Sequence, residues 1–470
     1  MPFGNSGGTP VFVRPRLLKA GMKKKSSARR PTAPTLGSTG FHAALQEGFG
    51  AVQPTLPKRR GRRPRVPLAQ VLPALVFQVM NAAGTLAEHF AQLFDDPLCD
   101  SALSERRSRR PWAVWAEWMR RGLRAFAHKA AHPEAFWRGW RLVALDDTQC
   151  SLTNTPQIKA TARKATTRRG RAAFATITTG VWLELGRHNP LAAALGRNGQ
   201  SEWALALELL AHLPAQALLR ADRLHGCAAF GAAARTACAK VGRHFWLRAR
   251  TNLRVQRVKR CQDGSRLVRL PVREQGQPHV ITAWIEVREI RGRVQRPGHR
   301  AQELRLWTSR LDPRSAPARE WIELDARRWE HALYDRERKR PLRKSALLQS
   351  HTVATGAQEI AARVLASAWR ARERARAAGG QTPVLRVSFL KTLELLRPLW
   401  LALALGGDLL TARQKQQWTE QFLEFAQRWH GTPQRKRPRR CPRAVRPPVS
   451  QWPRLLCNQS WEGPVHFQRL

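Results

Sequence analysis

The spacing of hydrophobic positions changes several times along the chain and divides it into segments. Over residues 63–140 apolar residues recur at helical spacing, as at Leu72 and Val76, with basic residues between them. Together with the interleaved basic residues, this pattern predicts an all-helical N-terminal domain that binds DNA. Its tryptophans, such as Trp115, are predicted to lie in the core, because a helical stripe of aromatic side chains needs a surface that buries it.

Two short apolar runs each end in aspartate. Residues 142–145 precede Asp146 and Asp147, and residues 217–221 precede Asp222. Both runs are typical of buried strands that hold a carboxylate at their end. Further strands are predicted at 172–185 and 191–195, and helices at 202–213 and 226–241. The mixture predicts an α/β core whose first part covers residues 141–242.

The second half of the chain begins with a change to alternating polar and apolar positions. Residues 281–287 alternate clearly, and Asp263-Gly264 is a hairpin signal, which together predict a β-rich insertion over 243–316. A charged helix over 318–340 and another over 357–378 then form a helical second part of the core, residues 317–379.

Both ends of the chain have a different composition. Residues 1–62 are rich in Gly, Pro, Ser and basic residues, without an apolar period, and are predicted to be a disordered basic arm. Residues 380–470 are predicted to contain an apolar helix, over 393–405, and a basic, proline-rich tail from Arg435 onward.

The charge of the chain indicates a polyanionic partner. Eighty-three Lys and Arg residues against 33 Asp and Glu give a formal net charge of +50, far above what solubility requires. Nucleic acid is the favoured interpretation, although arginine on solvated faces can also reflect composition bias. The seven cysteines form no Cys-x-x-Cys pair, which argues against a zinc module or a disulfide framework.

The cellular location is predicted from the lack of a signal pattern and of a membrane-spanning pattern in the apolar stretches. The N-terminal residues show no charged-then-apolar signal pattern. Residues 66–87 are uncharged and long enough to cross a bilayer, but Pro67, Pro73 and Gly84 favour a buried helix of a soluble protein. We therefore expect no membrane association and a cytoplasmic, nucleoid-associated protein.

Asp146 and Asp222 are the candidate residues for chemistry. Phosphodiester cleavage commonly uses two divalent metal ions, and hard cations such as Mg²⁺ prefer carboxylate oxygens on rigid supports. An aspartate after a strand is as often a helix cap or a turn residue. The spacing alone does not decide between these interpretations.

The order of segments adds a resemblance. A helical domain, two Asp-terminated strands, a β-rich insertion and a charged helix resemble the DDE-type DNA transposases, which have an RNase-H-like core, over roughly residues 66–375. The chain is most similar to the insertion-sequence-four family, whose first Asp is followed by Gly and Thr. Asp146 takes that first position, Asp147 replaces the glycine, and Asp222 matches the second catalytic Asp.

The family also has a Tyr-x2-Arg-x3-Glu-x6-Lys signature on the helix after the insertion. The corresponding segment places Arg328 and Lys339 at the Arg and Lys of the signature, but Asp325 at its Tyr and Ala332 at its catalytic Glu. Alanine cannot coordinate a metal ion. This chain is therefore expected to lack the third metal-binding carboxylate of the family.

Three acidic residues near Ala332 are candidates to replace the missing Glu. At 100° per residue, Glu330 and Glu337 lie about 160° and 140° around the helix from Ala332, so neither can readily face the site. Asp335 lies one turn along and about 60° away, which makes it the one plausible stand-in.

The resemblance implies cofactors and partners. An intact site would hold two Mg²⁺ ions, with Mn²⁺ as a substitute, and the protein would act as a homodimer on double-stranded DNA, namely terminal inverted repeats and target DNA. Backbone contacts are expected from the signature helix and from the basic loop between the first two strands, which could equally be disordered. The candidate DNA-binding residues are Arg328, Lys339, Lys159, Arg163, Lys164, Arg168, Arg169 and Arg171.

Three functions remain open from the sequence. The first is a transposase that cleaves and joins DNA, with its chemistry impaired by Ala332. The second is a catalytically dead DNA-binding protein that inhibits related transposases. The third is a basic RNA-binding or structural protein whose aspartates are caps. Trp284 and Trp307 of the insertion are candidates for stacking on a displaced base, with core packing favoured.

Overall fold

The computed structural model describes residues 68–428, with short gaps. The gaps are residues 82–83, 95, 168–169, 240–241, 251–252, 275, 296–300, 326, 328–329, 331–332, 336, 338–346, 381 and 407–408. The predicted basic arm and the basic tail lie outside the described residues.

The described helices are α1 Leu68–Met80, α2 Leu86–Phe94, α3 Asp100–Ser108, α4 Trp112–Gly122, α5 Pro156–Thr161, α6 Glu202–Leu210, α7 Ala228–Cys238, α8 Ala318–Asp325, α9 Val353–Ala378, α10 Phe389–Gly406 and α11 Ala412–Arg428. The strands are β1 Phe136–Trp137, β2 Trp140–Ser151, β3 Thr166–Thr167, β4 Gly170–Arg171, β5 Thr176–Glu184, β6 Asn189–Leu195, β7 Ala217–Ala221, β8 His244–Arg248, β9 Gln256–Arg260, β10 Arg266–Glu274, β11 Gln277–Val294 and β12 Gln302–Thr308.

Ten of these strands form one mixed sheet in the order β6-β5-β2-β7-β8-β12-β11-β10-β9, with β1 paired to β2. The strands β2, β7 and β8 are parallel to one another, whereas β5 is antiparallel to β2. The insertion strands β9 to β12 extend this sheet, because β12 pairs with the free side of β8. The protein is thus a mixed α/β structure built on a large sheet.

Helices cover both faces of the sheet. One face, called here the α6/α7 face, buries Val143 and Leu145 of β2 against α6 and α7. The opposite face, called here the α8 face, buries Leu142 and Ala144 against α8 and Tyr334. Because successive strand residues point to opposite faces, each residue of β2 can be assigned to one of these two helical layers.

The N-terminal helices share a core with the C-terminal ones. Helices α1 to α4 pack with α9 to α11 in one hydrophobic cluster, which buries Trp115 and Trp118 as predicted from their spacing. The central helix α9 begins at a reciprocal capping box between Thr352 and Thr355 and ends at Gly379, which has φ 58°. The assignment of the N-terminal helices to a separate DNA-binding domain stays a prediction.

Several elements differ in extent from those predicted. Strand β2 continues through both aspartates to Ser151, because β5 pairs with it along that whole length. The expectation that this strand holds its carboxylates at its end is therefore wrong, because both lie inside β2. Residues 66–87 contain the helix α1 and the start of α2, and within the described residues no helix is long and apolar enough to span a membrane.

Candidate functional site

Asp146 and Asp147 point to opposite faces of the sheet. Alternation along β2 places Asp146 and Thr148 on the α8 face with Ala144, and Asp147 on the α6/α7 face with Leu145. The two adjacent carboxylates therefore face different layers, and only Asp146 faces the layer that contains the signature segment.

Asp222 directly follows the neighbouring parallel strand. The last pair of the β2–β7 ladder is Ala144 with Arg220, so continuation of the register brings Asp146 and Asp222 to the same level. Parallel pairing with β2 ends at this level because β7 stops at Ala221, and α/β sheets commonly bind ligands at the carboxyl ends of parallel strands. The structure thus places the two predicted aspartates on neighbouring strands at one edge.

Asp335 also lies on the α8 face. The hydroxyl group of Thr148 contacts both of its carboxylate oxygens, at 2.9 and 2.8 Å. The other two acidic residues are engaged elsewhere: Glu330 accepts a hydrogen bond from the backbone N–H of Gly186, and the carboxylate of Glu337 contacts His188 Nδ1 at 2.7 Å. Ala332 itself lies outside the described residues.

Asp147 occupies a buried position under helix α6. Its side chain is 6% exposed, and His225 Nε2 lies 3.5 Å from its Oδ2. Burial raises its pKa to about 7; the charge of His225 opposes this shift, whereas the carboxylates of Glu202, Asp222 and Asp335 add to it. Asp147 therefore changes its charge near neutral pH.

Gly180 makes room for this carboxyl group. It pairs with Asp147 across β2 and β5, and a Cβ atom at this position would lie 2.8 Å from Asp147 Oδ1 and 3.0 Å from a methyl group of Leu209. The glycine that leaves space for the Asp147 side chain is thus on the adjacent strand β5.

The ring of His225 lies between the carboxyl groups of Asp147 and Asp222. Its Nδ1 lies 3.1 Å from Asp222 Oδ1, and the backbone N–H of Leu224 donates to the same oxygen at 2.9 Å. Burial raises the pKa of Asp222, but the hydrogen bond and charge of His225 outweigh it, so that the pKa is lowered overall. His225 therefore favours the ionised form of Asp222.

A buried arginine lies beside the aspartates. Arg220 is the one charged residue of β7 and is 4% exposed. Burial lowers the pKa of its guanidinium, and the carboxylates of Asp325, Asp222 and Asp146 oppose that shift. Asp325, at the position of the signature Tyr, is itself 2% exposed and supplies a compensating buried charge.

The described side chains do not form a complete metal site. In the part of the chain that the structure describes, no group of three or more His, Cys, Asp or Glu residues is arranged to hold a metal ion. Asp146, Asp222 and Asp335 thus do not converge into a three-carboxylate ligand set. The ligands present do not fit two metal ions.

The predicted DNA-binding residues fall into two groups. Arg328, Lys339, Arg168 and Arg169 lie outside the described residues. The others belong to a segment between β2 and β5 that contains α5 and the short hairpin of β3 and β4; exposed among them are Lys159, Arg163 and Arg171, whereas Lys164 is half-buried.

The two tryptophans of the insertion have different environments. Trp307 is 1% exposed and packs in the core, as favoured from the sequence. Trp284 is 49% exposed, because its position on β11 alternates with the buried Ile285 and Val287. The preference for core packing is therefore wrong for Trp284.

Four residues at this edge were missed from the sequence as functional candidates. Arg220 could have been found as a single charge inside an otherwise apolar strand, and Asp147 as the departure from Asp-Gly-Thr. His225 gives no such signal because its approach to Asp147 depends on the pairing of β2 with β7, and Arg248 gives none because its position beside Asp222 depends on the pairing of β7 with β8.

Comparisons with known proteins agree with the resemblance. No protein-family model matches the chain. A search of curated proteins finds the transposase InsG of the insertion sequence element IS4 from Escherichia coli, 26% identical over 218 residues, which are 46% of this chain and 48% of the relative. The chain thus spans about half the length of this relative.

A solved structure is also similar. It is the piggyBac transposase synaptic complex with hairpin DNA, with 8% identity and a TM-score of 0.46 over 85% of this chain and 87% of that one. A TM-score below 0.5 does not by itself establish a common fold. On the strength of the sequence match, the resemblance of this chain to the DDE-type transposases of the insertion-sequence-four family is confirmed.

Proposed function

We propose that the chain is a DDE-type transposase with an RNase-H-like core that binds the terminal inverted repeats of its element as a homodimer, and that Ala332 deprives it of strand cleavage. The observation that carries this proposal is the position of Asp146 and Asp222 at the same level of two neighbouring parallel strands. Asp146 faces the layer that contains α8 and Asp335.

The topology of the sheet supports an RNase-H-like core. The five strands β6-β5-β2-β7-β8 follow each other in this order, and β5 runs antiparallel to the parallel set of β2, β7 and β8. This is the arrangement expected of such a core, with the first Asp on its central strand. The insertion strands continue from β8 without disturbing it.

DNA as the partner is supported by charge and by the relative. A net charge of +50 provides strong, sequence-independent attraction to a phosphate backbone. The relative from Escherichia coli is named a transposase of an insertion sequence element. Terminal DNA is therefore the partner that we propose.

Ala332 favours a second candidate function. A chain with Asp146 and Asp222 but without the signature Glu provides fewer oxygen ligands than two Mg²⁺ or Mn²⁺ ions require. Such a protein would still occupy DNA ends and could form mixed dimers with an active relative. It would then act as an inhibitor of related transposases.

Binding to terminal DNA tests the proposal. We expect the full chain to protect the ends of the DNA that flanks its own gene from nuclease digestion, and to bind them at least about tenfold more tightly than scrambled duplexes, because base contacts add to the phosphate contacts. The measurement is footprinting with competition by scrambled duplex DNA and by an RNA hairpin of equal length.

Two outcomes would contradict it. Equal affinity for scrambled and terminal DNA would contradict specific recognition of the ends of the element. Exclusive preference for the RNA hairpin would favour the RNA-binding alternative.

A further inference from the structure

An open cleft lies beside Asp222 on the edge of the sheet. Its volume is about 590 Å³, and its lining residues are Arg220, Asp222, Arg223, Arg248, Ala301, Gln302 and Glu303. Alternation and pairing place Arg220 and Arg248 on the α8 face with Asp146, because Arg220 pairs with Trp246 of that face. The cleft therefore adjoins the proposed site on the same side of the sheet.

Two of the three arginines are held inside the protein. Arg220 is 4% and Arg248 is 8% exposed, which is unusual for side chains that carry a permanent charge. The Nε atom of Arg220 is buried and has no hydrogen-bond partner among the described residues. Buried donors normally have acceptors, so an acceptor from a ligand would complete this arrangement.

The wall of the cleft is rigidly supported. Arg250 donates to the carbonyl oxygens of Arg223 and Leu224, at 3.1 and 2.6 Å. The chain then passes so close to β8 that a Cβ atom on Gly226 would lie 1.9 Å from the carbonyl oxygen of Arg248. These contacts fix the loop that carries Arg223 relative to Arg248.

The charges and shapes of these groups select the ligand. Three guanidinium groups face two carboxylates, those of Asp222 and Glu303, so the lining residues carry a net positive charge. Guanidinium groups bind phosphate oxygens through paired N–H donors. A phosphodiester carries one negative charge and continues on both sides into the nucleic-acid strand. An open cleft has room for such a strand, so a phosphodiester suits it better than a compact multivalent anion.

We propose that this cleft binds a backbone phosphodiester of the DNA strand next to the phosphate presented to Asp146 and Asp222. The inference rests on the proposed function, since it names the contact by which the same site holds its DNA. Arg223 and Arg248 grip the phosphate from the two walls, and Arg220 supplies the buried donor at the base.

Site-specific photocrosslinking of the full chain tests the proposal. A benzophenone side chain is introduced at Ala301, which lines the cleft, and in a separate protein at Ala211, an exposed position at the end of α6. Each protein is mixed with flanking duplex DNA, and its total DNA binding is measured in parallel. We expect crosslinks to DNA from position 301 and none from position 211.

Arginine variants test whether the guanidinium groups hold the strand. We expect Arg223→Gln to lower the crosslink yield from position 301 about tenfold, because a charge-assisted contact to phosphate is lost. Arg223 is exposed, so this variant keeps the proposal testable even if the buried Arg248→Gln does not fold. Arg319→Gln, which removes an exposed arginine paired with Glu323, is the matched control and should leave the yield unchanged.

Several results would overturn the proposal. DNA binding without crosslinks from position 301 would refute the cleft while leaving the proposed function intact. Crosslinks to an RNA hairpin in preference to DNA would name a different partner. Failure to bind any DNA would instead refute the proposed function, and this inference with it.

Discussion

The protonation state of Asp147 should affect the stability of the folded protein. Its folded-state pKa of about 7 lies above the ordinary value of 3.8, chiefly because it is buried. Between these values the folded protein holds a proton that the unfolded chain has released. The free energy of unfolding should therefore fall as the pH rises from about 4 to about 7.

Asp147→Asn tests this expectation. Asparagine keeps the shape of the carboxyl group but stays neutral, so the variant should be more stable than the parent at pH 8 by roughly 2–4 kcal/mol, and by little at pH 4. The measurement is urea unfolding of both proteins at the two pH values. Glu323→Gln, at an exposed carboxylate, is the control and should show no comparable pH dependence. An equal difference at pH 4 and pH 8 would show that Asp147 does not titrate in this range.

Individual residues of the site could be predicted only in part. Asp146 and Asp222 follow apolar runs, so a single sequence reveals them as candidate carboxylates, although only Asp222 lies at the end of its strand. The division of Asp146 and Asp147 between two faces also follows from strand alternation, once the strand is known to continue. The position of His225 between Asp147 and Asp222 does not follow, because it depends on the loop after β7 packing against β8.

Among the elements, the connection between β7 and α7 is held by a close approach of two backbone segments. Gly226 lies where this loop crosses the end of β8, and no side chain fits between the two backbones. Because a backbone carbonyl group cannot move aside as a flexible side chain can, this approach fixes the position of Asp222 and Arg223. The rigidity of the loop is therefore encoded by one glycine.

Gly226→Ala should destabilise the protein by roughly 3 kcal/mol, because the new Cβ atom would force β8 and the loop apart. Gly199→Ala is the matched control: this glycine has φ 75° and no atoms within 4 Å of the added carbon, so only the backbone conformation costs about 1 kcal/mol. Thermal and urea unfolding compare the two variants. Similar losses for both would show that the close approach at Gly226 does not constrain the fold.

The elements were predictable where the apolar period was long. The strand β7 and the helices α6, α7, α9 and α10 lie within their predicted ranges or overlap them closely, because each buries a continuous apolar stripe. Helix α11 was missed, since few of its residues are buried, namely Phe422 and Ala426. The union of the insertion with the core sheet was also missed, because strand pairing between distant segments is not encoded in local alternation.

At the scale of the whole molecule, one sheet links the candidate site to the insertion. The edge that carries Asp146 and Asp222 continues through β8 to β12, whose first residues line the arginine cleft. Helices on both faces hold this edge in place, and the helical core around α9 is joined to the sheet through β5 and β6. A strand of DNA that crosses this edge would meet the aspartates and the cleft in sequence.

We propose that Asp146 and Asp222 are catalytic carboxylates that this chain retains. Ala332 stands where the third carboxylate of the family would be, so the set of three is incomplete. The most direct measurement is cleavage of the flanking terminal DNA, in Mg²⁺ or Mn²⁺, by the parent protein, by Ala332→Glu, and by Ala332→Glu combined with Asp146→Ala, with DNA binding recorded for each. We expect all three proteins to bind the DNA, only Ala332→Glu to cut it, and Asp146→Ala to abolish this cleavage. Cleavage that survives Asp146→Ala, or an Ala332→Glu protein that binds the ends but never cuts them, would contradict this proposal.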